Sequence, residues 1–225
     1  MMLRTPTRTK TPLLITALLL ASIAVAGDEA PRVLYADNFD KLDKDWAWVR
    51  EEPKAWKLEN NALVLRTQPG YIHGKSNTAK NVLVRPMPDA AGAPVAIEVS
   101  VENDPKIQFE HAGLPWYFDD DNYVGLYKES LGGKPEIQMI AEKDAKPTGA
   151  VKTCDAKKVW LRLVVADGKV TGQFRESETR EWKTVGEKPS PMIGKAKAGI
   201  IAGGAPKDAD HVATFKEFRI VQLSK

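Results

Sequence analysis

The chain has 225 residues, with 33 Lys and Arg against 30 Asp and Glu, 43% hydrophobic residues and a single cysteine. Its net charge of +3 belongs to the first 26 residues, which hold three basic residues and no acidic one. The rest is neutral, which gives no electrostatic footprint for nucleic acid, and Cys154 alone excludes an intrachain disulfide.

Arg4, Arg8 and Lys10 precede an apolar run of 14 residues, Leu13 to Ala26. That run is short for a membrane span and has the length of a secretory leader. Ala24-Val25-Ala26 has the A-x-A form of a cleavage site. Residues 1–26 therefore read as a signal peptide, with a mature chain from Gly27 and no membrane span left in it. An exported protein, periplasmic or extracellular, is expected, and residues 27–225 suit one all-β domain.

Val33-Leu34-Tyr35 opens an edge strand that turns at Asn38-Phe39. Trp46 to Arg50 alternates strictly, with both tryptophans on one face. Trp56-Lys57-Leu58 and Ala62 to Arg66 flank the turn Asn60-Asn61. A polar loop from Thr67 to Lys80, containing Tyr71 and His73, leads into the strand Asn81 to Arg85. Val95, Ile97, Val99 and Val101 share a face of the next strand. Ile107 to Lys128 reads as a hairpin around the acidic turn Asp119-Asp120-Asp121-Asn122, since Asp and Asn bond their own backbone in turns. The outgoing strand starts at Ile107, and Tyr123, Gly125 and Tyr127 alternate on the return. Glu136 to Ile140, Val159 to Val165 and Val170 to Glu176 follow, the last two joined by the hairpin signal Asp167-Gly168. Glu181 to Val185 and Ala198 to Ile201 precede a final strand, Ala213 to Leu223. Phe215 and Phe218 there have opposite parity, which predicts a bulge or two buried faces. Many short strands with regular turns and no sustained helical period predict a β-sandwich or barrel.

W-x-W-x-R-x-x-P (Trp46, Trp48, Arg50, Pro53), W-x-L (Trp56, Leu58) and A-G-L-x-x-Y-x-D-D-x-N-Y-V (Ala112 to Val124) form a set. With V-W-L-R-L (Val159 to Leu163) and the closing F-x-x-F (Phe215, Phe218), this set resembles the concanavalin A-like, jelly-roll module at the C-terminal end of family 43 β-xylosidases. It is also similar to related free-standing secreted proteins of unknown function. The resemblance implies two packed antiparallel sheets with a concave face suited to carbohydrate. It also implies a possible structural calcium ion near the paired termini. Lys216-Glu217 stand where family members often carry an acid directly after the first Phe, leaving Asp37 as the candidate ligand. The family's catalytic propeller has no counterpart in this sequence.

Sugars are bound by aromatic platforms and by planar polar groups that bond hydroxyls. Trp46, Trp48, Trp116, Tyr117, Tyr123 and Tyr127 are candidate platforms. Arg85, Glu110, His111, Asn122 and Arg162 are candidate hydroxyl partners. Trp160, flanked by Leu161 and Leu163, reads as core with Arg162 on the opposite face, and Glu110 suits Arg162 as an acidic partner. His73, His111 and His211 have no metal-ligand spacing. The Asp119-Asp120-Asp121 run lacks calcium-loop spacing and reads as a turn. No E-x-D-x-x-E, E-x-D-x-E or G-x-S-x-G string occurs, so an enzyme would need Glu110 paired across strands with Glu136 or Asp119. Three readings follow: a non-catalytic saccharide-binding protein first, a glycosidase-like enzyme second, and a sandwich that binds a protein partner third.

Overall fold

The computed structural model describes residues 30–191 and 194–224, so the expected leader lies outside the described residues. The first strands are β1 (Arg32–Asp37), β2 (Ala47–Val49), β3 (Trp56–Leu58), β4 (Leu63–Arg66), β5 (Ile72–His73) and β6 (Ser76–Asn77). Then come β7 (Val82–Pro86), β8 (Val95–Glu102), β9 (His111–Asp119), β10 (Asn122–Leu131), β11 (Lys134–Lys143) and β12 (Lys146–Thr153). The last are β13 (Lys158–Ala166), β14 (Lys169–Arg175), β15 (Lys183–Pro189), β16 (Lys197–Gly203) and β17 (Val212–Gln222). The helical content of the described residues is one 3-10 turn, Pro53–Ala55.

A front sheet of seven strands runs β12-β11-β10-β9-β16-β7-β2. A back sheet of eight runs β15-β14-β13-β8-β17-β4-β3, with β1 also paired to β17. The strand pairings within both sheets are antiparallel. Period-two alternation turns Ile97, Val99, Val101, Leu161 and Leu163 of the back sheet toward Leu83, Leu114, Val124, Leu126 and Ile200 of the front sheet, all fully buried. This is the expected jelly-roll sandwich.

Local chemistry explains most boundaries. Asp167 (φ 49°) and Gly168 (φ 71°) make the two-residue turn of the β13–β14 hairpin, left-handed at both positions. In β17 the register shifts between Lys216 and Arg219, with Glu217 at φ 57°. That bulge lets Phe215 and Phe218 both enter the core at 0% exposure. Two elements depart from expectation. The outgoing hairpin strand starts at His111 rather than Ile107, because Ile107 to Glu110 closes a turn, with the Glu110 N–H donating to the Ile107 carbonyl at 2.9 Å. Strand β12 had no apolar alternation to reveal it: seven of its eight residues are exposed.

Candidate functional site

Parity on β10 puts Tyr123, Gly125, Tyr127 and Glu129 on the face of the front sheet turned away from the inter-sheet core. On β9, Tyr117, Gly113 and His111 lie opposite Tyr123, Tyr127 and Glu129. On β11, Glu142, Ile140, Gln138 and Glu136 lie opposite Tyr123, Gly125, Tyr127 and Glu129. Gly125 has a specific purpose here. The Tyr127 ring lies flat across it, and a Cβ at position 125 would overlap the Tyr127 hydroxyl and ring carbons.

The 67–80 segment folds over this face. Its Ile72 and Ala79 are buried against Val82, Val84, Tyr117 and Tyr123. Polar bonds hold it down: the Gly74 N–H donates to Glu142 Oε2 at 3.0 Å, and Asn77 Nδ2 to Asp121 Oδ1 at 2.7 Å. The acidic turn supplies more of the latch. Asp120 takes a two-pronged bond from Arg50 (2.5 and 3.0 Å), whose Nε donates to the Ala79 carbonyl of the loop at 2.6 Å, and one from the Tyr117 hydroxyl (2.9 Å). Asp119 Oδ1 accepts the Asp121 N–H and Asn122 Nδ2, each at 2.9 Å. These carboxylates are occupied by protein donors, as a turn requires.

Between sheet and loop lies a cavity of about 390 Å³, within the range of small-molecule sites. Its floor is Tyr123, Tyr127 and Glu129 of β10 with Gln138 and Ile140 of β11. Tyr71, Ile72, His73 and Ser76 cover it, and His111 and Phe109 close one side. The aromatic rings form a run: Phe109 meets Tyr71 edge-on at 6.4 Å, Tyr71 stacks on His111 at 6.0 Å, and His111 lies 5.2 Å from Tyr127. His111 Nδ1 lies 2.9 Å from the Phe109 carbonyl and donates to it, which fixes the tautomer. Burial lowers the His111 pKa, so the ring stays neutral.

Polar atoms are left over. Among the described residues, no donor bonds to the Tyr127 hydroxyl or to Gln138 Oε1, both buried. Glu129 is 5% exposed, and burial alone pushes its carboxyl up to about 7. Burial, helped by Glu129, also raises the Tyr71 hydroxyl.

The predicted site residues separate by parity. His111, Tyr123 and Tyr127 line the cavity. Tyr117 shares their face, and Asn122 sits in the turn, accepting the Asp144 N–H at 3.1 Å. Trp46, Trp48, Trp116 and Arg85 are on the other side of the front sheet, packed into or against the core. Trp116 donates to Ser190 Oγ at 3.1 Å, and Trp48 packs at 5.0 Å on Trp56. The Arg85 guanidinium lies 3.0 Å over the Tyr35 ring, and burial brings its pKa down to about 10. These four cannot reach a ligand on the cavity face.

Glu110 is 2% exposed and fully committed. It accepts from His211 Nδ1 at 2.9 Å, the Thr67 hydroxyl at 3.3 Å, and the N–H groups of Lys106 and Ile107 at 2.9 and 3.2 Å. Asp119 lies at the far end of β9 from it, so that pair does not form. Arg162 pairs with Glu98 at 3.5 Å instead of Glu110, on the outer face of the back sheet. Trp160 is buried, but on the same face as Arg162, since residues two apart on a strand share a side; it donates to Glu217 at 3.1 Å.

Asp37 does not fit as a calcium ligand. Its oxygens accept from the Trp46 indole (2.8 Å), the Tyr35 hydroxyl (2.8 Å) and the Phe39 N–H (2.7 Å). No group of three His, Cys, Asp or Glu suited to a metal occurs among the described residues.

Sequence reasoning missed Glu129, Gln138, Tyr71 and Phe109. Glu129 was reachable, being two residues beyond Tyr127 on the same face. The loop residues carried no periodic signal.

Solved structures share this architecture. The family 43 glycoside hydrolase protein BlXynB from Bacillus licheniformis matches with a TM-score of 0.74 at 21% identity, over 83% of this chain and 39% of its own. The xylan β-1,4-xylosidase of Bacillus halodurans C-125 matches at 0.66 and 20% identity, over 82% and 38%. A functionally unknown protein from Saccharomyces cerevisiae matches at 0.65 and 18% identity, over 80% of this chain and 98% of its own. The chain thus spans under two fifths of the two bacterial proteins. Among curated proteins there is no match. No helix of the described residues is long and apolar enough to cross a membrane. Residues 36–220 match the sequence model of the β-xylosidase C-terminal concanavalin A-like domain, and the chain belongs to that family.

Proposed function

We propose that this chain is an exported, non-catalytic saccharide-binding sandwich that takes a sugar in the cavity between the front sheet and the 67–80 loop. One observation carries the reading. The cavity combines a run of aromatic rings with the Glu129 carboxyl, and its lining residues Tyr127 and Gln138 each carry a buried polar atom without a partner, the Tyr127 hydroxyl and Gln138 Oε1. Stacking surface plus hydroxyl partners is what a sugar needs, and buried unpaired atoms call for a partner the chain does not supply. The family's tie to xylosidases favours a carbohydrate over other small molecules. A glycan array probed with the chain from Gly27 to Lys225 tests this. Saccharide binding lost on Tyr127→Ala and kept on Glu98→Gln, on the outer face of the back sheet, supports the cavity as the site. Absence of binding to any glycan sinks the reading. Export is checked by fusing residues 1–30 to a reporter active only outside the cytoplasm.

A second reading, a glycosidase-like enzyme, has one observation in its favour. Glu129, with its raised pKa of about 7, has the poise of a general acid, and Glu136 lies directly across from it on β11. Turnover of xylo-oligosaccharides that vanishes in Glu129→Gln would establish it. The partner-binding reading rests on few exposed large apolar side chains, Val33, Ile107, Phe109, Val151 and Val212, of which Ile107, Phe109 and Val212 flank the Glu110–His211 bond.

A further inference from the structure

Glu129 has no counter-ion. Among the described residues no cation pairs with it and no donor bonds it, although it is 5% exposed. The sheet residues around it do not neutralise it, and His73 of the covering loop lines the same cavity without an ion pair to it. His111, directly across on β9, is neutral and gives its Nδ1 proton to the Phe109 carbonyl. Glu136, directly across on β11, is another acid. Tyr127 on its own strand and Tyr71 on the loop present ring faces and phenols that remain protonated. Gln138, the next residue of this face of β11, turns an unpaired acceptor, Oε1, toward the same region. Beside Glu129 the cavity thus holds no fixed cation, and its aromatic side presents π faces. Both halves attract one type of group. A buried carboxylate is stabilised by a cation, and aromatic faces attract cations through their quadrupoles.

We infer that the cavity recognises its ligand through a protonated amino group, held between Glu129 and the rings of Tyr71 and Tyr127. On the saccharide reading above, on which this rests, the ligand is an amino sugar with a free amine. An acetylated amine has no charge to pair with Glu129, and a neutral sugar has none either.

Calorimetric titration of the mature chain at neutral pH with glucosamine, N-acetylglucosamine, glucose and cyclohexylamine separates the two ideas. Hydrogen bonds to charged groups are strong enough for about a tenfold or greater preference. Glucosamine should therefore bind about tenfold or more tighter than glucose and N-acetylglucosamine, and Glu129→Gln should erase the preference while Glu98→Gln, on the outer face of the back sheet, keeps it. Equal affinity for glucosamine, glucose and N-acetylglucosamine overturns amine recognition and leaves the saccharide reading standing. Cyclohexylamine binding as tightly as glucosamine supports amine recognition and overturns the saccharide reading. A preference that survives Glu129→Gln overturns the assignment to Glu129, and binding of none of the four overturns both ideas.

Discussion

At Glu129 the protein keeps an acid where burial favours its neutral form, and the cost depends on pH. The folded-state pKa is raised from 4.5 to about 7. The fold therefore binds a proton more tightly than the unfolded chain does. The resulting stability is fully present below the unfolded pKa and is lost as pH rises through the folded one. Above pH 7 the ionised side chain costs about 3 kcal/mol. Glu129→Gln should accordingly stabilise the protein progressively between pH 4.5 and 7, by up to that amount, as read by urea unfolding at pH 5 and pH 8. An equal effect at the two pH values would mean that the carboxyl is not held in a dry site. Glu110 is the contrasting acid. Its four bonded donors tie the turn before β9 to His211 and Thr67. Glu110→Gln should cost about 1–3 kcal/mol and loosen the turn that carries Phe109. These two residues also mark what could be read in advance. Glu110 stood out in sequence as an acid in a strand-like stretch, but its side chain is spent on a turn that alternation alone cannot distinguish from a strand. Glu129 followed from the parity of Tyr123 and Tyr127, and only the covering loop, invisible to periodicity, makes its burial evident.

At the level of elements, β9, β10 and the 67–80 loop act together. Gly125 is the position where this assembly is least tolerant. Gly125→Ala should push the Tyr127 ring off the sheet, lift the loop and abolish ligand binding, while the inter-sheet core, on the other face, stays intact. Near-UV dichroism of the tyrosines against an unchanged far-UV spectrum would show this. The latch through Asp120 makes a separate prediction: Asp120→Ala removes the Arg50 and Tyr117 bonds and should raise amide exchange in residues 71–79 about tenfold or more, corresponding to about 1.4 kcal/mol or more of local stability. Unchanged exchange would show that the Gly74–Glu142 and Asn77–Asp121 bonds and the apolar contacts of Ile72 and Ala79 hold the loop without Asp120. The hairpin β9–β10 and its acidic turn were plain from residue type. The turn's task of pinning a distant loop was not, because nothing in the sequence joins Asp120 to Arg50 or Asp121 to Asn77.

For the whole molecule, the two-sheet sandwich was legible because alternation over long strands such as β8 and β13 permits few other solutions. Which aromatics serve the core and which the cavity was less legible. A run such as Trp116-Tyr117 puts one ring on each side, and the choice of side needs the sheet's neighbours. Trp116→Ala should cost about 3–5 kcal/mol as a core truncation and leave any ligand affinity unchanged in the folded fraction, as calorimetry at low temperature would report.

That division of aromatics has an optical consequence. All six tryptophans of the chain lie outside the cavity, whose rings are tyrosine, phenylalanine and histidine. Indole emission therefore reports the integrity of the sandwich and is nearly silent to occupancy, whereas the tyrosines are the native chromophores beside the ligand. A sugar that quenches the tryptophan signal without shifting the melting curve is binding somewhere else.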